Sequence, residues 1–288
     1  MNDRPIAAIM YDFDRTLSPK NMQEYAFIPS IGMSADEFWD RCNRTMKKNN
    51  MDPVLAYMYV LMLSARGKML LTRDGFAELG RNVQLFPGVL TWFKRVNDYA
   101  KEQGVNVEHY IISSGQKEII EGTSIASEFK KIYAAEFCYD KDNVPVWPAM
   151  AVNYTSKTQF LFRINKGVLD VTEHDILNES TPEDNRRVPF RNMIYIGDGL
   201  TDVPCMKLVK EYGGHSIAVY EDEPNEMVSR MLLQGRVDFI LKADYTHGRG
   251  MERTAFAIID QISAMNKTVS IHTEHQRLAE ETVGGYKF

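Results

Sequence analysis

Tyr11-Asp12-Phe13-Asp14-Arg15-Thr16 is the stretch around which the chain is organised. It follows an apolar run, residues 6–11, that reads as a short buried strand. Residues two apart on an extended chain point the same way, so Asp12 and Asp14 face one site just past the strand end. Two carboxylates that close repel each other unless a cation or a proton is shared between them. A hard cation such as Mg2+ takes carboxylate and carbonyl oxygens and keeps several waters. The plainer reading of the same residues is a solvated acidic turn.

Outward from this stretch, the chain changes character twice. From about residue 18 to residue 85, helix signals follow one another. Ser34-Ala35-Asp36-Glu37 is a capping box, with Phe38, Cys42 and Met46 on one helix face behind it. Pro53 suits a first helical position, Gly67 suits the stop after residues 54–66, and Thr72 suits the cap of a further helix toward Arg81. These helices read as a small bundle inserted after the first strand. Strands and helices then alternate. A helix over residues 89–103 has Leu90, Phe93, Val96 and Ala100 inward, and a strand over 107–112 ends in Ser113-Ser114-Gly115. A helix starts at Gln116, a short strand covers 132–135, and 139–147 reads as a hairpin or flap. Residues 157–167 form a helix with Phe160, Leu161 and Ile164 inward, and 170–187 form a polar surface loop. The strand 193–196 runs into Gly197-Asp198-Gly199-Leu200-Thr201-Asp202. Strands at 216–220 and 239–241, with a helix between them, precede a last helix at 251–265 and a polar, loosely held tail from Asn266.

This alternation argues for an α/β fold: a doubly wound, mostly parallel sheet with helices on both faces and an all-helical insert. The expected division is a core of residues 1–18 and 86–288 and a helical unit of 19–85. Ligands of such sheets sit beyond the carboxyl ends of the strands. Three strand ends carry unusual chemistry there, at Asp12/Asp14/Thr16, Ser113/Ser114/Gly115 and Asp198/Asp202.

The totals narrow the function classes. With 34 Lys and Arg against 39 Asp and Glu, there is no basic excess to follow a nucleic-acid backbone or an anionic membrane. The longest apolar run, ten residues from 54 to 63, is too short to span a bilayer, and the residues before Asp12 are too few for a secretory signal. Three widely spaced cysteines, Cys42, Cys138 and Cys205, indicate reduced thiols and a cytoplasmic setting.

The first of these strand ends matches the DxDxT motif of the haloacid dehalogenase-like superfamily, and Gly197 to Asp202 matches its GDGxxD motif. Ser113 after an apolar strand resembles its second motif and Lys157 at a helix start its third. The helical insert resembles the superfamily's cap, and the layout is most similar to the phosphoserine phosphatase-like branch. The resemblance implies Mg2+ held by Asp12, Asp14 (through its carbonyl), Asp198 and Asp202. It further implies Asp12 as nucleophile, Asp14 as acid and base, Lys157 as the active-site cation, and Thr16, Ser113, Ser114 and Gly115 around the phosphoryl group. Family dehalogenases lack an acid two residues after the nucleophile, whereas phosphatases carry one, so Asp14 points to hydrolysis of a small phosphorylated metabolite. Lys166 competes for the lysine role, although at a helix end a cation also simply complements the dipole. Ser113 reads equally as a helix cap.

Specificity is expected from the insert. Asn21, Gln23 and Glu24 would meet an amine or hydroxyl, and Arg41, Arg44, Lys47 and Lys48 a carboxylate or second phosphate. Each also reads as a solvated helix face. Outside hydrolysis, a phosphomutase, a non-catalytic phosphate-binding regulator and a DxD-type glycosyltransferase remain as alternatives. The last has no need for a second acid cluster after a buried strand.

Overall fold

The computed structural model describes residues 4–180, 182–183 and 186–283. A seven-stranded sheet runs through it in the order β4-β3-β2-β1-β5-β6-β7. The strands are β1 (Ile6–Tyr11), β2 (Asn106–Gln116), β3 (Phe129–Tyr139), β4 (Pro145–Met150), β5 (Met193–Gly197), β6 (His215–Tyr220) and β7 (Phe239–Lys242). All neighbours are parallel except β3 and β4, which form an antiparallel hairpin where the sequence reads as a hairpin or flap. β1 lies at the centre, with Tyr11 level with Ile111 of β2 and Ile196 of β5. The chain winds toward β4 on one side and toward β7 on the other. The strand order therefore reverses between β1 and β5, which is where doubly wound sheets bind ligands. Asp12 and Asp198 follow those two strands.

The insert between β1 and β2 forms as its caps dictate. Helix α1 (Ala35–Asn49) starts on the Ser34 and Glu37 capping box. Helix α2 (Pro53–Ala65) starts with the Asp52 carboxylate accepting from the amides of Val54 and Leu55. Helix α3 (Arg73–Gly80) starts on Thr72. Most of the apolar run in α2 is buried, and Val54, Tyr57, Met58, Val60 and Leu61 belong to one hydrophobic cluster that continues into the sheet core, while Tyr59 is exposed. Helix α3 meets the short helix α5 (Lys117–Glu121) backbone to backbone. A Cβ on Gly122 would fall inside the carbonyl of Ala77, so only glycine permits this approach. The end of the insert is thereby fixed to the sheet layer.

Helix α4 (Val89–Glu102) buries Val89, Trp92, Phe93, Val96 and Ala100, while Leu90 is 67% exposed. Phe93, Val96 and Ala100 lie inward as expected, and only Leu90 does not, because Val89 and Trp92 take the inward positions of that turn. Beyond these lie α6 (Lys157–Lys166), α7 (Val203–Glu211), α8 (Glu226–Leu233) and α9 (Gly250–Val283). Strands β2 and β3 run longer than the apolar runs suggest, since ladder hydrogen bonds continue past the buried residues. From Asn266 the chain stays helical to Val283 instead of ending its helix at Met265. Nothing in 266–283 breaks a helix, and Arg277 and Glu281 pair across one turn. The polar loop of 170–187 contains one helical turn, Asp175–Asn178, and Thr181, Asp184 and Asn185 of it lie outside the described residues.

Beneath Asp12 lies a buried polar chain. With the proton of His109 on Nε2, Trp92 Nε1 donates to the Tyr11 hydroxyl (2.8 Å), Tyr11 donates to His109 Nδ1 (3.0 Å), and His109 Nε2 donates to Asn97 (3.0 Å). Every member is satisfied with a neutral imidazole, and burial pushes the His109 pKa down to about 3. The unfolded chain takes up this proton first, near pH 6.5, so the folded state loses stability as pH falls from there toward 3. The loss approaches about 1.4 kcal/mol per pH unit from this one group. Urea melts at pH 7 and pH 5 are expected to show a larger drop for the native chain than for His109→Gln, and equal drops would contradict a neutral buried imidazole.

Candidate active site

Three carboxylates meet at the carboxyl edge of β1 and β5. One oxygen each of Asp12, Asp198 and Asp202 lies within 4.8 Å of the others. Asp12 is placed by its amide, which donates to the Ile196 carbonyl at 2.9 Å and so extends the β1–β5 ladder by one residue. Asp202 caps the turn after β5. Its approach leaves no room at Gly197, where a Cβ would lie 2.5 Å from the Asp202 Cγ.

Lys157, at the first position of α6, reaches this cluster fully buried. Its Nζ lies 2.7 Å from Asp202 Oδ1 and 3.2 Å from Asp12 Oδ1. Tyr195 of β5 also donates to Asp202 Oδ1, at 2.8 Å. Burial alone would lower the Lys157 ammonium, but Asp12 and Asp202 outweigh it and hold the lysine charged. Burial pushes Asp12 up to about 6 against the pull of Lys157. Burial and then Asp202 and Asp12 push Asp198 up to about 8. One lysine thus faces three acids, and burial first, then the surplus of negative charge, raises Asp12 and Asp198. Asp12 Oδ1, although close to Lys157, makes no aligned hydrogen bond and is buried. A hard divalent cation fits this donor set. Asp12 and Asp198 would hold it, with Asp202 oriented by Lys157 and Tyr195.

Asp14 stands apart from the cluster and faces the insert. Its Oδ1 accepts from the Met22 amide at 2.8 Å, and burial followed by the charge of Asp12 pushes its carboxyl well above the usual range. Its side chain lies in the wall of a cavity of about 240 Å³ beneath the insert, together with Ser114 and Gly115. Ser113 is buried, and its hydroxyl accepts from the Gly115 amide at 3.0 Å. Ser114 donates to the Val152 carbonyl at 2.7 Å. Thr16, the last residue of the first motif, is buried, and its hydroxyl has no partner among the described residues.

Lys166 is not brought to the site, since its Nζ caps the carbonyls of Leu177 and Glu179 at 2.6 Å. Of the insert residues singled out from sequence, Asn21 and Gln23 line the cavity. Glu24 lies to one side, where it accepts from Trp39 Nε1 at 2.9 Å and from Asn21. Arg41, Arg44, Lys47 and Lys48 do not reach the cavity wall. Arg41 bonds Ser64 at 3.3 Å, Arg44 pairs with Asp40 at 2.7 Å, and the two lysines are exposed. Tyr195, Tyr57 and Trp39 escaped the sequence reading because each looks like an ordinary core aromatic. The signal in principle is that a buried tyrosine hydroxyl needs a partner. For Tyr57 that partner is the Ser114 carbonyl at 2.9 Å, 57 residues away.

A family model described as haloacid dehalogenase-like hydrolase matches residues 9–207. An uncharacterized protein of Borreliella burgdorferi is 27% identical over 281 residues, covering 86% of this chain and 95% of that one. Among solved structures, a HAD family hydrolase from Salmonella enterica serovar Typhi superposes with a TM-score of 0.56 at 17% identity, over 90% of this chain and 73% of that one. A phosphoserine phosphatase, solved as its phospho-aspartyl intermediate analogue, superposes with a TM-score of 0.53 at 12% identity, over 87% of this chain and 97% of that one. At these identities the likeness is one of fold.

Two outcomes follow from the charge balance. Replacing Lys157 with Met leaves Asp12 and Asp202 buried without a counter-charge, at an expected cost of about 3–5 kcal/mol in urea unfolding; a cost below about 1 kcal/mol would mean that the acids are not both ionised. Mg2+ at a hundred times its Kd is expected to stabilise the native chain by about 2.7 kcal/mol. Asp198→Asn should lose most of this rise in melting temperature, and an equal rise in both proteins would place the cation elsewhere.

Proposed function

Because the chain belongs to the haloacid dehalogenase-like hydrolase family, we propose that it is a Mg2+-dependent phosphatase that hydrolyses a small-molecule phosphate monoester through an aspartyl-phosphate. The observation that carries this reading is the placement of two acids with different surroundings at one strand end. Asp12 faces Lys157 and the acid cluster, and Asp14 faces the cavity beneath the insert. The neighbours named as phosphoserine phosphatases support phosphoryl transfer as the chemistry.

Asp12 attacks the phosphorus in line, and the bond from phosphorus to the ester oxygen breaks. Asp14, protonated in its buried position, gives its proton to the departing oxygen. The alcohol leaves, and Asp14 as carboxylate takes a proton from water as that water attacks the phosphorus. Orthophosphate departs and the Asp12 carboxylate is restored. Lys157 holds Asp12 against Asp202 and offsets charge at the acceptor carboxylate. Bound Mg2+ would cancel charge between Asp12 and the phosphoryl group. Ser113 and the amides of Ser114 and Gly115 would meet the phosphoryl oxygens, with Thr16 steadying the turn. In this reading residues 19–85 act as a cap over a core of 1–18 and 86–288.

Phosphate release from an aryl phosphate, measured with Mg2+ and with chelator, tests the proposal. Native turnover is expected to require Mg2+, to vanish in Asp12→Asn, and to fall about 10²–10⁴-fold in Asp14→Asn. Turnover that survives in Asp12→Asn would remove the covalent route.

A further inference from the structure

We propose that the alcohol released at this site carries no negative charge of its own. The esters are those of compact neutral or amine-bearing alcohols, and not phosphorylated carboxylic acids or bisphosphates. This rests on the phosphatase reading and deepens it.

Asp14 sets where the leaving group goes. The group that protonates a departing oxygen must lie within hydrogen-bond reach of it. Asp14 lines the cavity beneath the insert, whereas Asp198 and Arg15 line a separate one of about 360 Å³. The alcohol therefore enters the first. At about 240 Å³ it falls below the roughly 300–1,000 Å³ of drug-sized sites, which limits the group to a small one.

The wall of this cavity is uncharged except for Asp14. Trp39, Met46, Val54 and Tyr57 supply its apolar part, and amides and hydroxyls supply most of its polar part. Among the described residues no lysine or arginine lines it, and the basic residues of α1 are engaged elsewhere or exposed. A carboxylate placed here would shed water and meet no cation on the wall, with only amide and hydroxyl donors to offset that cost. A hydroxyl avoids that cost, and an ammonium offsets its own loss of water against the aromatic faces of Trp39 and Tyr57.

Gln23 is 1% exposed and lines the cavity, so its amide is part of the uncharged wall. The wall is also held before any ligand arrives. Trp39 is anchored through Nε1 on Glu24 and lies edge-on to Tyr57, whose hydroxyl is tied to Ser114.

Calorimetric titration of Asp12→Asn, with Mg2+ present, against phosphoethanolamine and phosphoserine tests this, because the two differ by one carboxylate. Phosphoethanolamine is expected to bind about tenfold tighter or more. Met46→Lys, which adds a cation at the cavity wall, is expected to narrow or reverse that ratio. Equal or tighter binding of phosphoserine overturns the inference, as does an unchanged ratio in Met46→Lys or a failure of both esters to bind. Turnover of the same pair and of an aryl phosphate by the native chain is read separately. Preferential binding of phosphoethanolamine with no turnover of any ester would remove the phosphatase reading and leave the cavity assignment standing. Preferential hydrolysis of phosphoserine would do the reverse.

Discussion

The ammonium of Lys157, buried between Asp12 and Asp202, is the contact on which the rest of the site depends. Burial and the mutual repulsion of acids at one sheet edge favour protonation, as the raised Asp12 and Asp198 show. The lysine keeps enough of that charge ionised for an acid cluster to exist in a closed environment. It also explains why α6 begins where it does. The helix must deliver a long side chain to the switch point between β1 and β5 while burying Phe160, Leu161 and Ile164 on the sheet face. Tyr195 completes the arrangement, because a second donor on Asp202 fixes which of its oxygens the lysine meets.

The two aspartates of the first motif illustrate how a strand end divides labour. Asp12 continues the ladder of β1 and is held by the chain's most constrained part, over the neutral chain of Trp92, Tyr11, His109 and Asn97. Asp14, two residues on, has left the sheet and is held by the Met22 amide from the insert. One acid therefore belongs to the sheet and the other to the join between sheet and insert. In the proposed reaction the attacking acid is thus tied to the sheet, and the acid that protonates the leaving alcohol to the join with the insert. The absence of lysine and arginine from the cavity wall is a property of that second element alone.

Local patterns proved readable where a local interaction enforces them. The capping box at Ser34, the proline start at Pro53, the hairpin after Tyr139 and the alternation of strands and helices depend on neighbours a few residues away. Errors arose elsewhere. Leu90 lies outside because Val89 and Trp92 fill the inward positions of its turn, and the helix beyond Asn266 was hidden because a polar stretch gives no inward face to recognise. The basic residues of α1 looked like ligands of an anion because their charge is visible in sequence and their direction is not.

By itself the sequence determined the α/β class, the helical insert, and the acids that stand at the ends of β1 and β5. These follow from apolar periodicity and from residue types at strand ends, which are local matters. Only the tertiary structure decided that Lys157 and not Lys166 meets Asp12, that Asp202 is the lysine's partner, and that an uncharged cavity lies beside Asp14. Those contacts join residues tens of positions apart. They exist only once the strand order has reversed at β1 and the insert has folded back over the sheet edge, and that order is set by burial of the whole core and not by any single segment.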